Sequence, residues 1–127
     1  EETTVLVNHA RQNDYELMLE KGMLYLRAGD SKGSLLVKKG FDRLGYVLLH
    51  TNGDNAQLFP LRKKGFQIWT ADGLQALGFT AENAPYYAVL RFDSKSPIIY
   101  NHSVNLKQRA YTHVAKILPL SDFLDFK

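Results

Sequence analysis

Strong strand signals and weak helix signals restrict this chain more than any other feature of its sequence. Two segments, YVLLHT at 46–51 and APYYAVLRFD at 84–93, are apolar enough to be covered on both faces, whereas the longest helix-like run, NDYELMLEKG at 13–22, is only ten residues. A doubly wound parallel sheet needs a substantial crossover helix between successive strands. This chain offers about seven strand-like segments and two or three short helices. The expectation is therefore an α+β fold built on a small, mostly antiparallel or mixed β-sheet, curled or closed as a barrel.

The segments follow one another without repeats or long linkers. TTVLVNHA reads as a first strand. In the helix that follows, Asn13 is the expected N-cap, Glu16 completes a capping box, and Gly22 sits at the C-terminal stop. MLYLRA reads as a strand and GDSKGS as a hairpin turn in which Gly29 and Gly33 supply left-handed freedom. LLVKKGFDRLG is read as a short strand and then a helical turn at 41–44. YVLLHT is expected to be central. NGDN forms a hairpin-type turn, and Pro60 puts AQLFPL at an edge or strand end. FQIWT is a strand, and TADGLQALGF is a short helix capped by Thr70 and stopped by Gly78. After APYYAVLRFD come a DSKSP turn, a short strand at IIYNH, a strand near 112–118 and a terminal helical turn capped by Ser121.

A chain of 127 residues fits one domain spanning 1–127. It can bury enough surface to fold without a metal or disulfide. It begins without Met, so a processed protein or a module cut from a larger one is expected. Cysteine is absent, which excludes thiol catalysis, disulfides and Cys-containing zinc sites. No apolar run approaches the ~18–20 residues of a membrane span, and the acidic start does not resemble a signal peptide. A cytoplasmic location without membrane association is expected.

The chemistry-bearing residues are dispersed. His9, His50, His102 and His113 show neither i, i+4 metal spacing nor an HExxH pattern, so no metal or other cofactor is expected. There is no GxSxG elbow, P-loop or GxGxxG turn. Asp93 with Lys95, and Asp122 with Asp125, are short acidic patterns of low information. His50, His113, Arg91 and Tyr111 are residue types able to cleave RNA without metal, which makes a small RNA- or nucleotide-cleaving enzyme one alternative. A protein–protein interaction domain is another. No residue is assigned a catalytic role, and a noncatalytic chain is the expectation.

Charge supplies the leading functional expectation. Net charge is only +3, but residues 32–64 hold seven cations (Lys32, Lys38, Lys39, Arg43, Arg62, Lys63, Lys64) against Asp42 and Asp54. Aromatic residues follow on the next strands. Strand alternation puts Phe66 and Ile68 on one face, with Gln67 and Trp69 opposite. In YYAVLRF it assigns Tyr86, Ala88, Leu90 and Phe92 to the core, leaving Tyr87 and Arg91 to face outward or line a groove. The expected surface joins Gln67, Trp69, Tyr87 and Arg91 to a basic rim of Lys38, Lys39, Arg62, Lys63 and Lys64. Cations neutralise phosphates and flat rings stack bases, so the expected partner is nucleic acid, DNA or RNA. The expected role is a noncatalytic recognition module that reads a base or its modification, in association with a larger enzyme.

Overall fold

Seven strands divide between two sheets in the computed structural model, which describes residues 3–51, 54–82, 84–98 and 115–123. In chain order the elements are β1 (Thr4–His9), α1 (Gln12–Lys21), β2 (Met23–Arg27), α2 (Ser34–Lys38), β3 (Tyr46–Thr51), β4 (Asp54–Pro60), β5 (Gln67–Thr70), α3 (Ala71–Ala76), β6 (Tyr86–Arg91) and β7 (Lys116–Pro119). Two 3-10 turns, Phe41–Arg43 and Leu120–Asp122, complete them.

The larger sheet has the order β4-β3-β1-β7. β1 runs parallel to β3, with Leu6 opposite Val47, and the other neighbours are antiparallel. The smaller sheet, β2-β6-β5, is wholly antiparallel. Where β4 ends, the chain pairs with the end of β6. Leu61 bridges Phe92, Arg62 N–H donates to the Arg91 carbonyl at 3.0 Å, and Asp93 N–H donates to the Pro60 carbonyl at 2.9 Å. The sheets are thus linked at one corner, and no closed barrel forms among the described residues.

Apolar alternation explains why the larger sheet is covered on both sides. Leu6, Val47, Leu49 and Phe59 point into the main core, shared with Leu24, Leu90 and Phe92 from the smaller sheet. Val5, Val7, Leu48 and Leu58 form a second core closed by Phe123, which is fully buried. Phe59 and Phe92 join the sheets with ring centroids 5.0 Å apart. Burying one such ring fully stabilises the fold by about 2–3 kcal/mol.

The expectations for β3 at an inner position, Pro60 at the end of an edge strand and Thr70 as a cap all hold. Thr70 Oγ1 accepts from Gly73 N–H at 3.3 Å. Gly22 closes α1 in the left-handed conformation, φ 65°.

Four local expectations are corrected. Arg11, not Asn13, stands at the cap of α1, and no side chain caps it. The Arg11 carbonyl already accepts from the amides of Asp14 and Tyr15, so the helix begins before Asn13. GDSKGS does not join two strands, and LLVKK is helical. Asp30 Oδ1 accepts from the amides of Lys32 and Ser34, a local side-chain turn that launches α2. Pro119, not Ser121, precedes the last 3-10 turn, which has no side-chain cap. Residues 52–53, most of IIYNH and residues 112–114 lie outside the described residues.

Candidate nucleic-acid interface and adjoining cavity

Register brings the aromatic and cationic residues of β5 and β6 together. Trp69 is the cross-strand partner of Tyr87, and Gln67 that of Val89. Side chains directly opposite share a face, so Gln67, Trp69, Tyr87 and Arg91 lie on the side away from Ile68. The Arg91 guanidinium carbon stands 5.9 Å from the Trp69 ring centroid, within cation–π range. Trp69 Nε1–H donates to Gln67 Oε1 at 3.3 Å. Arg62, Lys63 and Lys64 follow in an exposed bend, and the Arg62–Arg91 backbone bond fixes the start of that bend beside β6. One corner therefore carries four exposed cations around a half-buried indole.

Two parts of the expected surface depart from it. Tyr87 does not face solvent: it is 3% exposed. At this position the face of β6 is covered by groups from other segments, while Arg91, further along the same face, stays exposed. The Tyr87 hydroxyl accepts from Ala84 N–H at 3.0 Å, and its ring meets Tyr25 edge-on at 5.2 Å. Lys38 and Lys39 stand on exposed positions at the end of α2, and Lys39 lines a separate cavity on the side of Tyr25 and Arg27. Trp69 is itself only partly accessible. It packs against α3, where a Cβ added at Gly73 would lie 3.4 Å from the indole.

The cavity measures about 550 Å3 and lies beside β2, the outer strand of the smaller sheet among the described residues. Its walls come from the carboxyl end of β1, the first turns of α1, the end of α2 and the segment 81–82. A buried network holds these pieces in place. Asp14, 1% exposed, accepts from the Tyr25 hydroxyl at 2.5 Å and from the amide and hydroxyl of Thr80 at 3.0 and 2.9 Å. The Tyr25 oxygen in turn accepts from Ala81 N–H at 3.1 Å. Burial, and then the bond to Asp14, hold the Tyr25 phenol well above its ordinary pKa. Ala81 is held at φ +31°, a conformation an alanine rarely adopts. Its carbonyl accepts from Gln75 Nε2 at 3.0 Å. Such strain persists where surrounding bonds over-determine it. Across the mouth, Arg11 pairs with Glu82 at 2.7 Å, and that hydrogen bond raises the guanidinium pKa further.

Of the residues that line the cavity, only Lys39 and Tyr87 had a place in the sequence-based surface. Asp14 was legible in principle: it shares a helical stripe with Leu17, Met18 and Lys21, which puts a carboxyl on the apolar side of α1. Nothing local marks Tyr25, Arg27 or Asn8, because their roles depend on long-range packing.

Of the alternative acid–base residues, His50 and Arg91 are described, and they stand on different sheets. His50 is fully buried on β3, edge-on to His9 at 5.6 Å, out of reach of a substrate. His113 and Tyr111 lie outside the described residues. Asp93 Oδ1 accepts from Lys95 N–H, a turn contact. Among the described residues no helix is long and apolar enough to cross a membrane. Compared with family models, curated proteins and solved structures, the chain matches none of them.

Proposed function

We propose that the chain is a noncatalytic nucleic-acid-binding module whose contact surface is the corner formed by Arg62, Lys63, Lys64, Gln67, Trp69 and Arg91. The supporting observation is the backbone bond between Arg62 and Arg91, which sets the cation run of the β4–β5 bend against the arginine that covers Trp69. Exposed cations give phosphate contacts that fix position on a strand. The Arg91 guanidinium offers a flat, charged plane on which a base can stack, with the indole beneath it. Gln67 is exposed on the same face and is able to read a base edge. In this reading the module serves a larger enzyme in the cytoplasm.

Fluorescence anisotropy with labelled single- and double-stranded DNA and RNA tests the proposal across a salt series. Binding should weaken steeply with salt. Reversing Arg62, Lys63 and Lys64 to Glu should weaken it at least about tenfold and flatten the salt dependence, by roughly 0.7–0.9 in slope per lost phosphate contact. Trp69→Ala should cost about 1–3 kcal/mol of binding. Unchanged affinity in both variants would overturn the proposal.

A further inference from the structure

The cavity beside β2 has the chemistry of a ligand site that the corner does not explain. Its volume, about 550 Å3, falls in the about 300–1,000 Å3 range of small-molecule sites. It opens at the carboxyl end of β1, the end of the parallel β1–β3 pair at which open sheets hold ligands. Asn8 lines it with 4% exposure, and its Nδ2 has no hydrogen-bond partner among the described residues. A buried amide donor left unmade costs about 1–3 kcal/mol, and this one belongs to a residue of the cavity wall. Tyr25, Tyr87 and Phe41 supply aromatic wall. Arg27 and Lys39 are exposed on the same lining, and neither forms an ion pair among the described residues. Apolar rings, one fixed donor and two unpaired cations together suit a flat heterocycle that carries a phosphate.

We infer that this cavity binds one nucleotide: its base against Tyr25, Tyr87 and Phe41, an acceptor on the base edge taking the Asn8 Nδ2 proton, and its phosphate between Arg27 and Lys39. The source is either a free mononucleotide or a nucleotide turned out of a strand. The second source is geometrically accessible, because Arg27, Tyr87 and Trp69 form one cross-strand row. Two strand spacings, roughly 10 Å, separate cavity and corner. The inference stands on the cavity itself and goes beyond the proposed strand contact.

Two experiments separate the sources. In the first, NMR spectra of the labelled full chain are titrated with each nucleoside monophosphate, with the parent nucleosides and with inorganic phosphate. Monophosphates should shift the amides around Asn8, Tyr25 and Ala81 and bind at least tenfold more tightly than phosphate or nucleoside. Arg27→Glu and Lys39→Glu, both at exposed positions, should each weaken this about tenfold, whereas Lys63→Glu should not change it. In the second, an oligonucleotide with a central 2-aminopurine reports unstacking by a rise in fluorescence, which Arg27→Glu and Lys39→Glu should abolish. Mononucleotide binding assigns a free nucleotide; a fluorescence rise without it assigns a nucleotide of a strand. Monophosphates binding no more tightly than inorganic phosphate, with no 2-aminopurine rise, would overturn the inference. Asn8→Asp, which removes the amide donor at constant shape, should weaken whichever ligand binds. The Lys63→Glu chain reports on the strand contact alone, so failure of the cavity and failure of the corner are told apart.

Discussion

The cavity wall and the cationic corner stand at opposite ends of one row of side chains, Arg27–Tyr87–Trp69, yet they are held in different ways. Around the cavity, polar groups bond to one another about a buried carboxylate: Asp14 to Tyr25 and Thr80, Tyr25 to Ala81, and Ala81 to Gln75. At the corner, one backbone bond, one cation–π contact and one long Trp–Gln hydrogen bond position side chains that remain largely in water. Buried polar networks are strong when complete and costly when broken. Exposed charges contribute little to folding. Substitutions within the hydrogen-bonded network should therefore change the fold, and those of the exposed corner cations should change binding alone.

The largest effect is expected at Asp14. Asp14→Ala leaves the Tyr25 hydroxyl and both Thr80 donors without their shared acceptor. Each loss is of the order of 1–3 kcal/mol, so urea denaturation should show a loss of about 3 kcal/mol or more. Asp14→Asn keeps the shape and an acceptor oxygen and should lose less. If Asp14→Ala unfolds at the same urea midpoint as the parent chain, the network does not stabilise this end and the contrast fails.

A smaller effect, visible only in alkali, is expected at Tyr25. Burial and the bond to Asp14 raise its pKa in the folded chain above the ordinary value of about 10. Folding therefore favours the neutral phenol. That contribution is fully present below about pH 10 and is lost as pH rises from there towards the folded-state value. Tyrosinate absorbance should show the Tyr25 phenol ionising only as the chain unfolds, with Tyr15, also raised by burial, removed as Tyr15→Phe to isolate it. Tyr25→Phe should be less stable near neutrality and should lose less between pH 10 and pH 12. A Tyr25 that titrates with the exposed tyrosines would remove it from the network.

How much of this was legible in the sequence follows the range of the interactions. Period-two alternation located YVLLHT and YYAVLRF and placed Trp69 opposite Ile68, beside Arg91, because those relations need only neighbours in one strand or register. Alternation could not show that Tyr87 is covered on its second face. That cover comes from Tyr25 and from residues near Ala84, which reach it through the fold. LLVKK is short and apolar, and such runs fit either strand or helix. Asp30, four residues before Ser34, decides for the helix by accepting the Ser34 amide. The cavity was invisible for the same physical reason. Asn8, Asp14, Arg27 and Lys39 come from four segments that only the tertiary structure sets around one space.

The smallest effect, and the sharpest test of the corner, is expected at Arg91. Its guanidinium lies near the outer limit of cation–π range from Trp69, so the contact is worth about 0.5–1 kcal/mol to an exposed site. Arg91→Lys keeps the charge but removes the plane. Folding stability should move by less than about 1 kcal/mol, within the effect of a single exposed contact. If Arg91 serves only as a phosphate contact, oligonucleotide affinity and its salt slope should both survive the change to Lys and fall together in Arg91→Ala. If the guanidinium is a stacking plane, Arg91→Lys should weaken binding about threefold with the salt slope preserved, because the number of neutralised phosphates is unchanged. The two variants measured over one salt series thus divide the charge of this residue from its shape.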